Sequence, residues 1–321
     1  MSRNNVRAPV VCVLTLVALS AGLVACNSSA PRSNAPDTAT SADPVPPDPC
    51  SGYLADDLTS IAVDVGGQER EAVVHLPAGA DDTEPLPLVL GFHGYGGTTD
   101  DLEGDTRLFE EGDAQGFVTV FPAALGNPAR WDLRDRESPD LAFVDALLTE
   151  LEVRVCIDPR RIYATGFSQG AAMANAVGCS RPERFAAIAP VAGVYDPMWR
   201  DICTGDPVPV IGFHGVLDPV VPYEGGTDRS GRPIIGAELW ATQWAELNRC
   251  TGGPQAQPPI GDVQPLFWTT CAAAVEFYRV AGAGHSWPGG VHDDPDMGGS
   301  TEAVSANALI WSFFERHSLP G

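Results

Sequence analysis

The sequence predicts an α/β fold: a mostly parallel central sheet with helices on both faces, in a single domain from residue 51 to residue 321. Three observations predict it. Apolar, β-rich runs alternate with helix-period patterns along that stretch. The middle runs are nearly continuous in Val, Ile, Leu, Ala and Phe, as strands covered on both faces must be. The chain has 321 residues and is 44% hydrophobic, enough for one substantial core, and no internal repeat divides it.

The elements follow in chain order. Arg3 and Arg7 precede an apolar stretch from Ala8 to Val24, the charge-then-apolar order of an export signal, too short for a comfortable membrane span. Its ending, Leu23-Val24-Ala25-Cys26, resembles a bacterial lipoprotein cleavage box. That resemblance makes residues 1–25 a signal peptide and Cys26 the lipidated first residue of the mature chain; an ordinary secretory signal or an uncleaved anchor is the alternative. Residues 26–50 are rich in Ser, Ala, Asp and Pro and read as a disordered tether.

Strand patterns then fall at Ile61–Val65, Ala72–Leu76, Leu86–Phe92, Phe117–Phe121, Arg161–Thr165, Phe185–Ala189, Val208–Phe213 and Ala274–Val280. Between them, Ser138-Pro139-Asp140 supplies a cap and a first-turn proline for a helix carrying Leu141, Val144, Leu147, Leu148 and Leu151. A small-residue helix runs from Gln169 to Val177. Trp240, Trp244 and Leu247 share a helix face, and residues 302–316 form the last helix. The segment from Cys250 to Cys271 is dominated by Gly, Pro, Gln and Thr and reads as an irregular surface excursion.

The formal charge is −23, and all 19 basic residues are arginine. Such a chain lacks the basic footprint of a nucleic-acid binder. Six cysteines lie from the end of the tether onward: Cys50, Cys156, Cys179, Cys203, Cys250 and Cys271. An even count in an exported chain suggests disulfides. The short loops favour Cys179–Cys203 and Cys250–Cys271, leaving Cys50–Cys156, although spacing alone leaves the connectivity open. None has metal-site spacing, so neither a metal nor any other cofactor is expected.

The chemistry centres on Gly166-Phe167-Ser168-Gln169-Gly170, a G-x-S-x-G between a strand pattern and a small-residue helix. A serine on that sharp turn is exposed as a nucleophile, and the residues two before and two after it must be small. A serine hydroxyl needs a base, and the base an orienting acid. In chain order Ser, Asp, His, the acid is Asp218, just past the strand Val208–Phe213, and the base is His285, in the glycine loop after Ala274–Val280; His292 is the fallback. The oxyanion donors are the backbone N–H of Gln169 and that of Tyr95 or Gly94, in His93-Gly94-Tyr95-Gly96-Gly97. His93 precedes the serine and is assigned to holding this loop. His317, at the end of the last helix, reads as a surface residue.

HGYGG, RIYATGFSQGAAMA, GFHGVLDPVVPY and GAGHSWPGG, in this order, resemble the secreted polyhydroxybutyrate-depolymerase and feruloyl-esterase group of α/β-hydrolases, over residues 71–321. The resemblance implies a serine esterase with Ser168, Asp218 and His285 as triad. It implies an extracellular enzyme acting on feruloyl or acetyl esters of xylan-type polysaccharides, or else on short-chain polyesters. Where depolymerase-like members carry a longer aromatic, cysteine-containing loop, this chain reads Trp131-Asp-Leu-Arg-Asp-Arg-Glu137, which favours the smaller ester. Trp131, Trp287 and Tyr223 are pocket candidates, with packing as the alternative reading. A monomer anchored to the membrane at Cys26, or secreted, is the expectation; a non-catalytic surface binding protein is the reading from another class.

Overall fold

A computed structural model describes residue 50 and residues 58–80, 84–133, 135–291 and 294–321. The signal segment 1–25, Cys26 and nearly all of the tether lie outside the described residues, as does His292. The central sheet has ten strands: β1 (Ser60–Val65), β2 (Gln68–His75), β3 (Leu86–Phe92), β4 (Val118–Pro122), β5 (Ile157–Phe167), β6 (Ala187–Val191), β7 (Val210–Gly215), β8 (Gly252–Ala256), β9 (Val263–Thr269) and β10 (Val275–Val280). Their spatial order is β1-β2-β4-β3-β5-β6-β7-β10-β9-β8. The run from β4 to β10 is parallel, and an antiparallel pair closes each edge.

The predicted both-face coverage is present. Along β3, Leu88, Leu90 and Phe92 enter one core while Val89 enters the other. The first core receives α3 (Pro139–Arg154), α4 (Gln169–Ser180) and α5 (Ala237–Leu247), through Leu148, Met173 and Trp240 among others. The second receives α1 (Thr99–Thr106), α2 (Leu108–Gln115) and α6 (Ala306–Phe314), through Leu102, Leu108 and Phe313. Each fully buried side chain of this size contributes about 1.5–3 kcal/mol. Ser138 caps α3 by accepting from the Leu141 N–H at 3.2 Å, with Pro139 in the first turn.

Two regions depart from the expectation. The Cys250–Cys271 segment is not an irregular excursion: β8 and β9 form an antiparallel hairpin that extends the sheet beyond β10. Its Pro254 stands on the outermost strand, where a missing N–H costs no ladder bond, so its turn-like composition concealed a strand. Helices α1 and α2 were not foreseen, because TDDLEGDT buries little beyond Leu102 and Thr106. A capping box starts α1: Thr98 Oγ1 accepts from the Asp101 N–H at 3.1 Å, and Asp101 Oδ2 accepts from the Thr98 N–H at 2.9 Å.

The disulfides are Cys50–Cys156, Cys179–Cys203 and Cys250–Cys271. The last ties the two ends of the hairpin segment together. Among the described residues, no helix is long and apolar enough to cross a membrane.

Candidate active site

β5 ends at Phe167 and α4 begins at Gln169, so Ser168 alone makes the turn. Its φ is 58° and its ψ −117°, in a region that non-glycine residues rarely enter. The surroundings enforce it. The Ser168 N–H donates to the Val191 carbonyl at 3.0 Å, and the Ser168 carbonyl accepts from the Val194 N–H at 3.3 Å, tying the turn to the end of β6. The two flanking glycines are obligatory: a Cβ on Gly170 would strike the Phe92 carbonyl, and one on Gly166 would strike the Gly170 carbonyl.

The loops after β7 and β10 meet beside this turn. Leu217 N–H donates to the Ala283 carbonyl at 2.9 Å, and Val216 N–H to the Val280 carbonyl at 2.8 Å. A Cβ on Gly215 would collide with the Ala283 and Gly284 carbonyls, so this glycine permits the approach. The result brings Asp218 and His285 together across 67 residues: His285 Nδ1 donates to Asp218 Oδ2 at 2.7 Å. A carboxylate only accepts, so Nδ1 carries the hydrogen and Nε2 is left with a free lone pair. Asp218 Oδ1 accepts from the N–H groups of Val220 (2.8 Å) and Val221 (2.7 Å). Burial alone would raise the Asp218 pKa, but the donors His214 and His285 hold it well below the usual carboxylate range. It is a fixed anion.

A second histidine, His214, stands beside Asp218. Its Nε2 donates to the Val221 carbonyl at 2.9 Å and lies 3.4 Å from Asp218 Oδ2. It stands near the end of β7, four residues before Asp218. The Phe167 ring, one residue before Ser168, lies 4.7 Å from the His285 ring, so the turn stands next to the pair, and the Ser168 hydroxyl makes no hydrogen bond among the described residues.

The glycine loop after β3 completes the edge. The Ala124 N–H donates to His93 Nε2 at 3.1 Å, so Nδ1 is the protonated nitrogen and donates to the Gly94 carbonyl at 2.8 Å. Trp131 Nε1–H donates to the His93 carbonyl at 2.8 Å. His93 therefore clamps the loop, and burial holds its pKa below the ordinary value. The Gly96 N–H is engaged by the Ala129 carbonyl (2.7 Å) and the Gly97 N–H by Gly94 (3.1 Å). That leaves the Gly94 and Tyr95 amides as loop donors, and a Cβ on Gly94 would lie 3.4 Å from the Ser168 Cβ. The Gln169 N–H, at the first position of α4, has no intrahelical acceptor.

Two clefts flank the site. One, of about 770 Å³, is lined by Gln169, Trp131, Ala172, Asn175 and Tyr195 among others. The other, of about 520 Å³, is lined by His285, Phe167, Trp287 and Met297 among others. Trp131 and Trp287 thus each reach a cleft, although both are buried and hydrogen-bonded. Tyr223 lines neither: its hydroxyl donates to Glu238 at 2.5 Å and its ring packs against His214, so it serves as packing. Among the described residues, no group of three or more His, Cys, Asp or Glu side chains is arranged to hold a metal ion.

A family model described as Phospholipase/Carboxylesterase matches residues 141–230, which include the elbow and Asp218. Feruloyl esterase C of Emericella nidulans is 31% identical over 255 residues, covering 76% of this chain and 83% of that protein. Feruloyl esterase B of Piromyces equi is 28% identical over 267 residues; this chain spans 78% of its own length there but only 46% of the Piromyces protein. Among solved structures, an acetyl xylan esterase from Aspergillus awamori superposes with a TM-score of 0.57 at 16% identity, over 74% of this chain and 97% of that one, a likeness of α/β-hydrolase fold.

Proposed function

Because this chain belongs to the α/β-hydrolase esterase family that includes feruloyl esterase C of Emericella nidulans, we propose that it hydrolyses carboxylic esters by a Ser168–His285–Asp218 mechanism. The observation that carries the reading is the His285–Asp218 bond on the sheet edge where the Ser168 turn is strained into place. His285 Nε2 takes the proton of Ser168 Oγ as the oxygen attacks the ester carbonyl. The Gln169 amide and the Tyr95 or Gly94 amide hold the oxyanion, each worth about 3 kcal/mol in the transition state. The collapsing intermediate expels the alcohol, which takes the proton from His285. Water, deprotonated by the same nitrogen, then attacks the acyl-enzyme, and Ser168 leaves with that proton. Asp218 stays ionised and stabilises the imidazolium that forms twice per cycle.

The proposed substrates are feruloyl or acetyl esters of xylan-type polysaccharides; the names of the relatives, feruloyl esterases, support the feruloyl reading. A short-chain polyester is the second enzyme reading. The test is hydrolysis of methyl ferulate, acetylated xylan and a hydroxybutyrate oligomer by the purified domain and by Ser168→Ala. Loss of roughly 10⁴-fold or more in kcat is expected for the variant; equal rates in the two proteins would discard the triad. The mature protein is held at the outer surface of the cell through lipidated Cys26, in keeping with its three disulfides. Cys26→Ser should move the protein into the medium, and retention on the cells would refute the anchor.

A further inference from the structure

The larger cleft runs along α4, and two of its polar groups have no described partner. Asn175 lines it while being only 2% exposed. Its Oδ1 accepts from the indole N–H of Trp240 at 2.9 Å and from that of Trp244 at 2.8 Å. An indole N–H only donates, so these two bonds decide which end of the amide is oxygen. The Nδ2 end is therefore turned from the indoles, on a residue that forms the cleft wall, and no described acceptor meets it. That atom is not sealed off like a core donor, so a ligand in the cleft can reach it. Tyr195 repeats the pattern. It lines the same cleft at 3% exposure, its ring stacks on Trp240 at 4.6 Å, and its hydroxyl has no described hydrogen bond. Burial raises the Tyr195 pKa well above its ordinary value, so the hydroxyl remains a donor.

The reaction orients the ester between the two clefts. The leaving alcohol takes its proton from His285, which lines the smaller cleft; the oxyanion amide of Gln169 opens the larger. The acyl chain then runs along α4. Asn175 stands six residues past Gln169, about 9 Å along the helix axis, within reach of the tip of a conjugated aromatic acyl group and far beyond an acetyl. Trp131, Ala172 and Ile234 supply apolar lining to this cleft, which also carries charged groups such as Arg130 and Arg232.

Resting on the serine-esterase reading above, we infer that Asn175 and Tyr195 are the specificity-determining residues of the acyl cleft, donating hydrogen bonds to ring oxygens at the far end of an aromatic acyl group. A site built to pair such oxygens discriminates against the acyl group that lacks them, because its own donors are then left unmet.

The experiment compares methyl ferulate with methyl cinnamate, which has the same skeleton without ring oxygens, each rate normalised to hydrolysis by hydroxide. The parent should prefer ferulate about tenfold in kcat/KM. Asn175→Asp keeps an oxygen for both indoles and replaces the donors by an acceptor of the same shape; its preference should vanish or reverse. Tyr195→Phe keeps the stack on Trp240 and should lower the preference several-fold. A parent without preference, or two variants that retain the parent's ratio, would overturn the assignment. Should Asn175→Asp fail to fold, the parent's ratio and Tyr195→Phe still decide. The ratio is read only from active enzyme. Failure of the serine-esterase reading would look different: no hydrolysis of either ester, or a Ser168→Ala variant equal to its parent.

Discussion

At the scale of residues, the site is a set of single groups each held by one or two specific neighbours. Ser168 keeps a positive φ because Val191 and Val194 bind its backbone on one side and the Gly166–Gly170 contact closes the other. Asp218 is fixed by two amides and two imidazoles. His214 touches no reacting atom, so it is a positioning residue acting through Asp218. His214→Phe would pack against Tyr223 but withdraw one donor from the carboxylate. The less stabilised anion then attracts the proton on His285 more strongly. We expect kcat/KM to fall about fivefold to tenfold, consistent with roughly 1–1.5 kcal/mol for one modest hydrogen bond, and the acidic limb of its pH profile to move to higher pH. His214→Gln, which keeps an N–H, should restore both. A pH profile unmoved in His214→Phe would reduce His214 to a packing residue. Of these groups, the placement of Ser168, Asp218 and His285 just past strand ends was legible in the sequence because each follows a strand pattern. His214 and Asn175 were not: their roles depend on what lies across space from them.

At the scale of elements, the sequence read well where a strand is covered on both faces. β6, β7, β3 beyond Leu86 and the Ile162–Gly166 half of β5 are buried throughout because parallel neighbours and helices leave them no wet side. It read poorly at the sheet's far edge. β8 has no buried residue, and β9 mixes Val263 and Trp268 with Gln264 and Pro265. Their pairing is fixed by β10 and by the Cys250–Cys271 link, neither of which is a local property. Helices α1 and α2 escaped notice for a related reason: Leu102 and Leu108 carry most of their burial, too few positions to make a period. The functional loops lie mainly on the parallel strands, which is why the site was more legible than the fold's periphery. The loops after β3, β5, β7 and β10 all leave the same sheet edge, where ligands bind in open α/β sheets.

At the scale of the whole molecule, the pH dependence of stability has an identifiable source away from the site. His317 is not the surface residue its place in the sequence suggests. It packs at 4.6 Å on Phe313, and its carbonyl accepts from the Tyr163 hydroxyl at 2.7 Å. Its Nε2 is buried without a partner among the described residues. Burial first, and the adjacent Arg316 charge second, lower its pKa from 6.5 to about 4. The folded protein therefore keeps this imidazole neutral while the unfolded chain takes up a proton as soon as the pH falls below about 6.5. Between those two values the unfolded state binds more protons, so stability declines as pH falls and is restored as it rises. Each pH unit between the folded and unfolded values is worth about 1.4 kcal/mol, and a half-buried site reduces that, so the loss is on the order of 2 kcal/mol. That is a sizeable share of the roughly 5–15 kcal/mol that holds a typical domain together. Glu103 and Glu276, whose carboxyls burial pushes upward, act in the opposite sense, and Asp218, held low, adds its own loss only below the ordinary carboxylate value of about 4. The informative quantity is thus the difference between parent and His317→Gln in denaturant unfolding at about pH 7.5 and about pH 4.5. The parent should lose about 2 kcal/mol more than the variant over that interval. Equal losses would mean that His317 titrates in the fold as it does in the unfolded chain, and the pH sensitivity would then belong to the carboxylates of this strongly acidic protein.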